Sequence, residues 1–223
     1  MPSTLRPPRL RWPAALAACL LATAAQAGEI RVEVRADDGE PLADAVIVAV
    51  PEQGGAAAGA RRDRAVMDQE DKEFVPYVLP ITVGTQVDFP NHDSIRHHVY
   101  SFSPAKRFEL PLYIGQPAAP VRFDTPGVVV LGCNIHDWMI AYVYVADSPF
   151  FTRSGEDGMA TLGPLPAGRY QVRVWHPRLD GAEADTARAL DVPATGALSA
   201  RWQLGLKPDF RIPRAPIPGG SGY

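Results

Sequence analysis

Between residues 65 and 147 no long stretch keeps a helical period. Short β-type segments at 81–83, 87–89, 98–102, 121–123, 128–131 and 140–145 follow one another, broken every few residues by Pro or Gly. Punctuation of this kind ends helices, whereas short strands joined by turns can stack face to face, so the segment predicts a sandwich or barrel. The flanks continue the pattern. Residues 30–34 alternate Ile, Arg, Val, Glu, Val, an Asp-Asp-Gly turn follows at 37–39, and 45–50 is an unbroken apolar run. Further on, turn signals at 155–158 and 164–168 bracket a short strand at 159–162, residues 170–175 alternate again, and 200–204 reads as a closing strand. The expected fold class is all-β.

The opening VRADDGEPLADAV (34–46) and the later EDG (156–158) and LPAGRYQV (165–172) resemble the two ends of a carboxypeptidase-regulatory-like or transthyretin-like β-sandwich. Neither end is a whole sandwich, so the economical reading is one small Ig-like domain, residues 28–53 and 148–206, split by insertion of residues 65–147, with two separate domains flanking the centre as the open alternative. Insertion at a loop tip is physically reasonable. A Gly- and Ala-rich passage at 54–64 reads as a linker. The tail 207–223, with four prolines and three glycines, is expected to be flexible.

Arg6, Arg9 and Arg11 precede a short, mostly alanine apolar run that ends at Ala25-Gln-Ala27. Residues 1–27 therefore read as a cleaved secretory signal peptide and not a stable membrane span, which needs about 20 apolar residues. The expected location is the periplasm. Leu16-Ala-Ala-Cys19 also resembles a lipobox, so lipid anchoring at Cys19 stays open as a minor alternative. Cleavage takes away three arginines and no acid and moves the formal net charge from −3 to −6. An acidic chain without a Lys/Arg block is a poor fit to nucleic acid. Cleavage also leaves a single cysteine, Cys133, which has no partner for an internal disulfide and is a buried thiol, an intermolecular link or a metal ligand.

The stretch LGCNIHDWM (131–139) favours the last: Cys133, His136 and Met139 fall within seven positions directly after a valine-rich run. Thiolate and thioether favour copper(I), imidazole serves either oxidation state, and trigonal His₂Cys with a weak axial Met is an electron-transfer copper set. A second imidazole must come from elsewhere, and PNHDSIRHHVYS (90–101) offers His92, His97 and His98. His92 reads as a loop residue, His176 as a structural residue of the other sandwich, and Asp137 as either a partner of His136 or a solvated carboxylate.

Together, Gly84-Thr-Gln-Val-Asp-Phe89, Asn91, His97-His98-Val99 and Gly127-Val-Val-Val-Leu-Gly-Cys133-Asn-Ile-His136 followed by Met139 resemble the cupredoxins, the small blue copper proteins, and most closely their amicyanin and plastocyanin branch. The resemblance covers roughly residues 65–146. It implies a Greek-key sandwich holding one type 1 copper ion, with His97, Cys133 and His136 as equatorial ligands and Met139 as the axial one. His98 stands where the family has an asparagine that ties the two ligand loops together, and Arg96 replaces a proline. The combination with MDQ at 67–69 also resembles exported bacterial proteins labelled methylamine utilisation proteins. The implied function is single-electron transfer, not enzymatic turnover. Implied partners are a quinoprotein dehydrogenase and a c-type cytochrome, with electrons passing near His136 and Trp138. Two alternatives stay open: a copper-binding or delivery protein, and a binding module in which the metal only stabilises the fold.

Overall fold

A computed structural model describes residues 27–53, 64–117 and 119–209. The expected signal peptide, apart from Ala27, lies outside the described residues, as do linker residues 54–63 and the tail beyond 209. In chain order the strands are β1 (Ala27–Ala36), β2 (Val46–Pro51), β3 (Arg64–Val66), β4 (Asp68–Glu70), β5 (Glu73–Val75), β6 (Val78–Thr82), β7 (Thr85–Asp88), β8 (His97–Ser103) and β9 (Lys106–Tyr113). They continue with β10 (Val121–Phe123), β11 (Gly127–Gly132), β12 (Ile140–Ala146), β13 (Phe150–Arg153), β14 (Met159–Pro166), β15 (Gly168–Trp175), β16 (Arg188–Val192) and β17 (Ala197–Leu204). The one helical element among the described residues is a 3-10 turn at Glu183–Thr186. The fold is all-β, as the punctuation demands. No helix among the described residues is long and apolar enough to cross a membrane.

The two ends of the chain build one core. β1 lies between β14, antiparallel, and β17, parallel, while β2 lies in a second sheet ordered β13-β2-β15-β16. Ile30, Val32 and Val34 of β1 are fully buried, and with Ile47, Leu162, Val172 and Trp202 they form a single apolar cluster. β14 runs past the turn expected at 164–168: Leu165 pairs with Gly28 and is fully buried, so packing keeps the strand extended to Pro166.

The middle of the chain builds the other core. A five-stranded sheet ordered β6-β12-β11-β8-β9 and a three-stranded sheet ordered β10-β7-β3 enclose Met67, Phe89, Phe123, Leu131 and Val143. The β4–β5 ribbon lies beside them, with Phe74 buried in the same cluster. A third cluster joins the halves, because β2 is apolar on both faces: Ala45, Ile47 and Ala49 enter the first core, while Val46 and Val48 pack on Val78, Tyr144 and Ala146. The Tyr144 hydroxyl donates to Glu183 at 2.5 Å, and Arg173 bridges Glu183 and Asp147 at 2.6 and 2.5 Å.

Candidate metal centre

Strand β11 ends at Gly132, which pairs with Ile140, the first residue of β12. The loop held at this neck is residues 133–139, and its first and last side chains, Cys133 and Met139, both turn into the core, 4% and 1% exposed. Inside the loop the Met139 N–H donates to the His136 carbonyl at 3.0 Å, and His136 sits at the partly exposed rim. The sequence spacing of three and then three residues is thus what a short paired loop needs to turn two soft donors inward around one imidazole.

His97 opens β8 and is fully buried, its ring centroid 4.9 Å from that of His136. The ligand atoms of His97, Cys133 and His136 all lie within 4.8 Å of one another. His98 is not part of that group. Successive residues of a strand face opposite sides, and the His98 imidazole bonds Glu109 at 2.9 Å on the other face of β8. His92 is also elsewhere, at the surface, its Nδ1 2.8 Å from both carboxylate oxygens of Asp68. Asp68, Glu70 and His92 form a separate exposed or half-exposed group. His176 is buried in the other sandwich, where its Nδ1 accepts the Arg178 N–H. Asp137 is exposed and shares no hydrogen bond with His136 among those described.

The hydrogen-bond pattern leaves a buried nitrogen open on each imidazole. The Nε2–H of His97 donates to Asp93 Oδ2 at 2.6 Å; a carboxylate only accepts, so Nε2 carries a proton and, in the neutral ring, Nδ1 keeps its lone pair. Nδ1 of His97 and Nδ1 of His136 are both buried without a hydrogen-bond partner. Burial, then the proximity of His97 and Lys72, pushes the His136 pKa down. For Asp93 burial works in the opposite sense, but the N–H of Lys72, the His97 imidazole and the N–H of Asp71 together hold its carboxyl below the usual range.

Several further residues shape this scaffold. The Asn91 amide donates to the carbonyls of Ile95 and Tyr113 at 2.9 and 2.8 Å and accepts the Asp93 N–H, which shapes the loop leading to His97. Fully buried Gln69 donates to the Pro90 carbonyl at 3.0 Å and approaches the Tyr113 hydroxyl at 2.5 Å. Burial, together with the charges of Asp68 and Cys133, pushes the Tyr113 phenol up to about 12. Trp138 lies with its ring 5.1 Å from His136. The loops at this end also expose Ile95, Ile114 and Ile135.

A buried thiol and two imidazoles with unpartnered nitrogens, with Met139 buried at the far end of the same loop, fit a soft or borderline metal ion, and among the described residues the group has no fourth strong donor of the kind a structural zinc site uses. No family model matches the chain, and no curated protein matches it. Among solved structures it is similar to the Cu-containing nitrite reductase (NirK) of Thermus scotoductus SA-01, with 27% identity, 44% of this chain and 25% of that one covered, and a TM-score of 0.36. It is similar to a reduced mutant of amicyanin, with 22% identity, 45% and 98% covered, TM-score 0.34. A purple cupredoxin from Nitrosopumilus maritimus gives 25% identity, 37% and 98% covered, TM-score 0.32. The chain spans a quarter of the nitrite reductase. Scores of this size carry no argument about function, which rests on the geometry of the centre itself.

Proposed function

We propose that the chain is an exported type 1 copper protein that carries single electrons, with His97, Cys133, His136 and Met139 as the residues that would hold the ion. One observation carries this: the ligand atoms of a buried thiol and two imidazoles lie within 4.8 Å of one another, and each imidazole has a buried Nδ1 without a hydrogen-bond partner. Bound there, copper would supply a one-electron couple whose potential Met139 and the apolar shell would tune.

The chain's own contribution is rigidity. Cys133 and Met139 are fixed at the paired neck of one loop, and His97 is fixed at the first residue of a strand. Asp93 locks the tautomer of His97, and the core around Phe89, Leu131 and Val143 keeps water away. Donors held in this way move little when the charge at the centre changes, so electron exchange needs little rearrangement. No residue has to act as acid, base or nucleophile. His136 and Trp138, at the rim among exposed isoleucines, offer the shortest way out and suit a small, weak interface with a redox protein such as a c-type cytochrome or a quinoprotein dehydrogenase.

The test is to add Cu(II) to the purified mature protein and record the visible spectrum. An intense thiolate-to-copper band that disappears and returns through reduction and reoxidation, and that Cys133→Ser abolishes, is the expected result. A colourless protein would overturn the assignment. A site that takes up Cu(I) and exchanges it readily without a stable Cu(II) form would mark a delivery protein instead.

A further inference from the structure

The two imidazoles arrive on different loops, His97 from the segment after β7 and His136 from the segment between β11 and β12. The resemblance puts a loop-tying asparagine at position 98, but the chain has a histidine there, and it is engaged with Glu109 on the far face of β8. We propose that the tip of the β4–β5 ribbon supplies the missing tie, with Lys72 acting as a positioning residue through its main chain. The inference rests on the reading of His97 and His136 as metal ligands.

The Lys72 N–H donates to Asp93 Oδ2 at 2.8 Å, the same oxygen that accepts the His97 Nε2–H at 2.6 Å. The Lys72 carbonyl accepts the Trp138 indole N–H at 3.1 Å, and that indole lies 5.1 Å from the His136 ring. One residue therefore closes a continuous path, His97 to Asp93 to Lys72 to Trp138 to His136, outside the metal centre and independent of it. The two main-chain groups flank one Cα, so the separation of the loops is set by covalent geometry on the Lys72 side.

The ribbon is built to hold that tip still. Gln69 and Phe74 face each other across it, and both are buried in the central sandwich. The turn between Glu70 and Glu73 consists of Asp71 and Lys72 alone, with φ of 51° and 62°, a left-handed pair of the kind a two-residue hairpin requires and Asn-Gly or Asp-Gly usually fills. Lysine in the second place keeps a Cβ where glycine would be unstrained, so contacts on both sides must hold the conformation.

The tie is tested first in the metal-free protein, by amide hydrogen exchange at Lys72. A turn amide at an exposed ribbon tip exchanges freely unless it is bonded, so marked protection of the Lys72 N–H is expected, and exchange at an open-turn rate would overturn the proposal. The variant Trp138→Phe keeps a ring against His136 and removes only the indole N–H. It is expected to lower that protection by about tenfold, the value of one net hydrogen bond, to speed copper release and to alter the shape of the thiolate-to-copper band without abolishing it. Lost protection with unchanged release and an unchanged band would overturn the positioning role, as would a variant indistinguishable from wild type in all three. Protection of Lys72 in a protein that shows no copper band would sink the copper assignment alone. A copper band in a protein with an unprotected Lys72 would sink the tie alone.

Discussion

The two sandwiches of this chain are built by the same two-residue alternation yet treat buried polar atoms in opposite ways. In the outer sandwich they are consumed: Trp202 donates its indole N–H to the Thr186 carbonyl, the Tyr170 hydroxyl donates to the Pro166 carbonyl, and the Ser154 hydroxyl accepts from Ala45 N–H and donates to the Leu42 carbonyl. In the central sandwich they are left over. Among the described residues the buried side-chain N and O atoms without a partner belong to Gln69, His97, His98 and His136, all in the central sandwich. An unmade hydrogen bond in a core costs roughly 1–3 kcal/mol, so a fold that leaves Nδ1 of both His97 and His136 open in one cluster gives up stability there. The lesson is that folding alone satisfies the outer sandwich, whereas in the central one it leaves the buried Nδ1 atoms of His97 and His136 open, as the proposed copper site requires.

The sharpest way to break this contrast is to damage the satisfied core. Trp202 is 1% exposed and fills the centre of the outer cluster, so Trp202→Ala should destabilise that core by about 3–5 kcal/mol, more than any other single change considered. Urea unfolding followed by circular dichroism measures the loss. If the copper band persists at urea concentrations where the outer sandwich has melted, the two cores are separate cooperative units. Loss of both together would show that the third cluster, around Val48 and Tyr144, fuses them.

The complementary change fills the open site of the central core. Copper at a hundred times its dissociation constant should add about 2.7 kcal/mol to whichever unit contains Cys133. In a calorimetric scan the transition of the central sandwich should move up on addition of copper and that of the outer one should stay. Cys133→Ser should cancel the shift. A metal-dependent rise that persists in Cys133→Ser would place the binding elsewhere, for instance at the exposed Asp68, Glu70 and His92 group.

The same contrast explains what the sequence discloses. Strand β1 is legible because Ile30, Val32 and Val34 alternate with charges, and the run at 45–50 because a strand covered on both faces has no polar side to show. The Cys133, His136 and Met139 set of the 133–139 loop is legible because packing alone does not call for a thiol, an imidazole and a thioether at such close spacing. Adjacent His97 and His98 cannot be separated by composition, since the pleat alone decides which enters the core. Asp137 is next to His136 in sequence but exposed, while Asp93 reaches His97 across an irregular loop, a contact of chain path and not of motif. Strand β9 hides behind charges, Pro111 and a half-exposed pattern, and the β4–β5 ribbon is too short and too acidic to announce itself.

The smallest effect is expected where the two sandwiches meet. The Tyr144 hydroxyl, on the central sandwich, donates to Glu183 on the outer one, and burial, then the neighbouring carboxylate, raises its pKa above the ordinary 10.0. Because the folded value is the higher one, the stability from this contact is fully present below pH 10.0 and is lost as pH rises through the folded value, where a phenolate would face Glu183 with only Arg173 to offset it. Tyr144→Phe should therefore cost about 1 kcal/mol at neutral pH, and the gap between variant and wild type should narrow as the medium becomes more alkaline. Other tyrosines titrate in both proteins and cancel in the difference. Unfolding midpoints measured in parallel from neutral to strongly alkaline pH give the answer: a gap that does not change would mean that the hydroxyl faces water, and that apolar packing alone holds the outer sandwich to the central one.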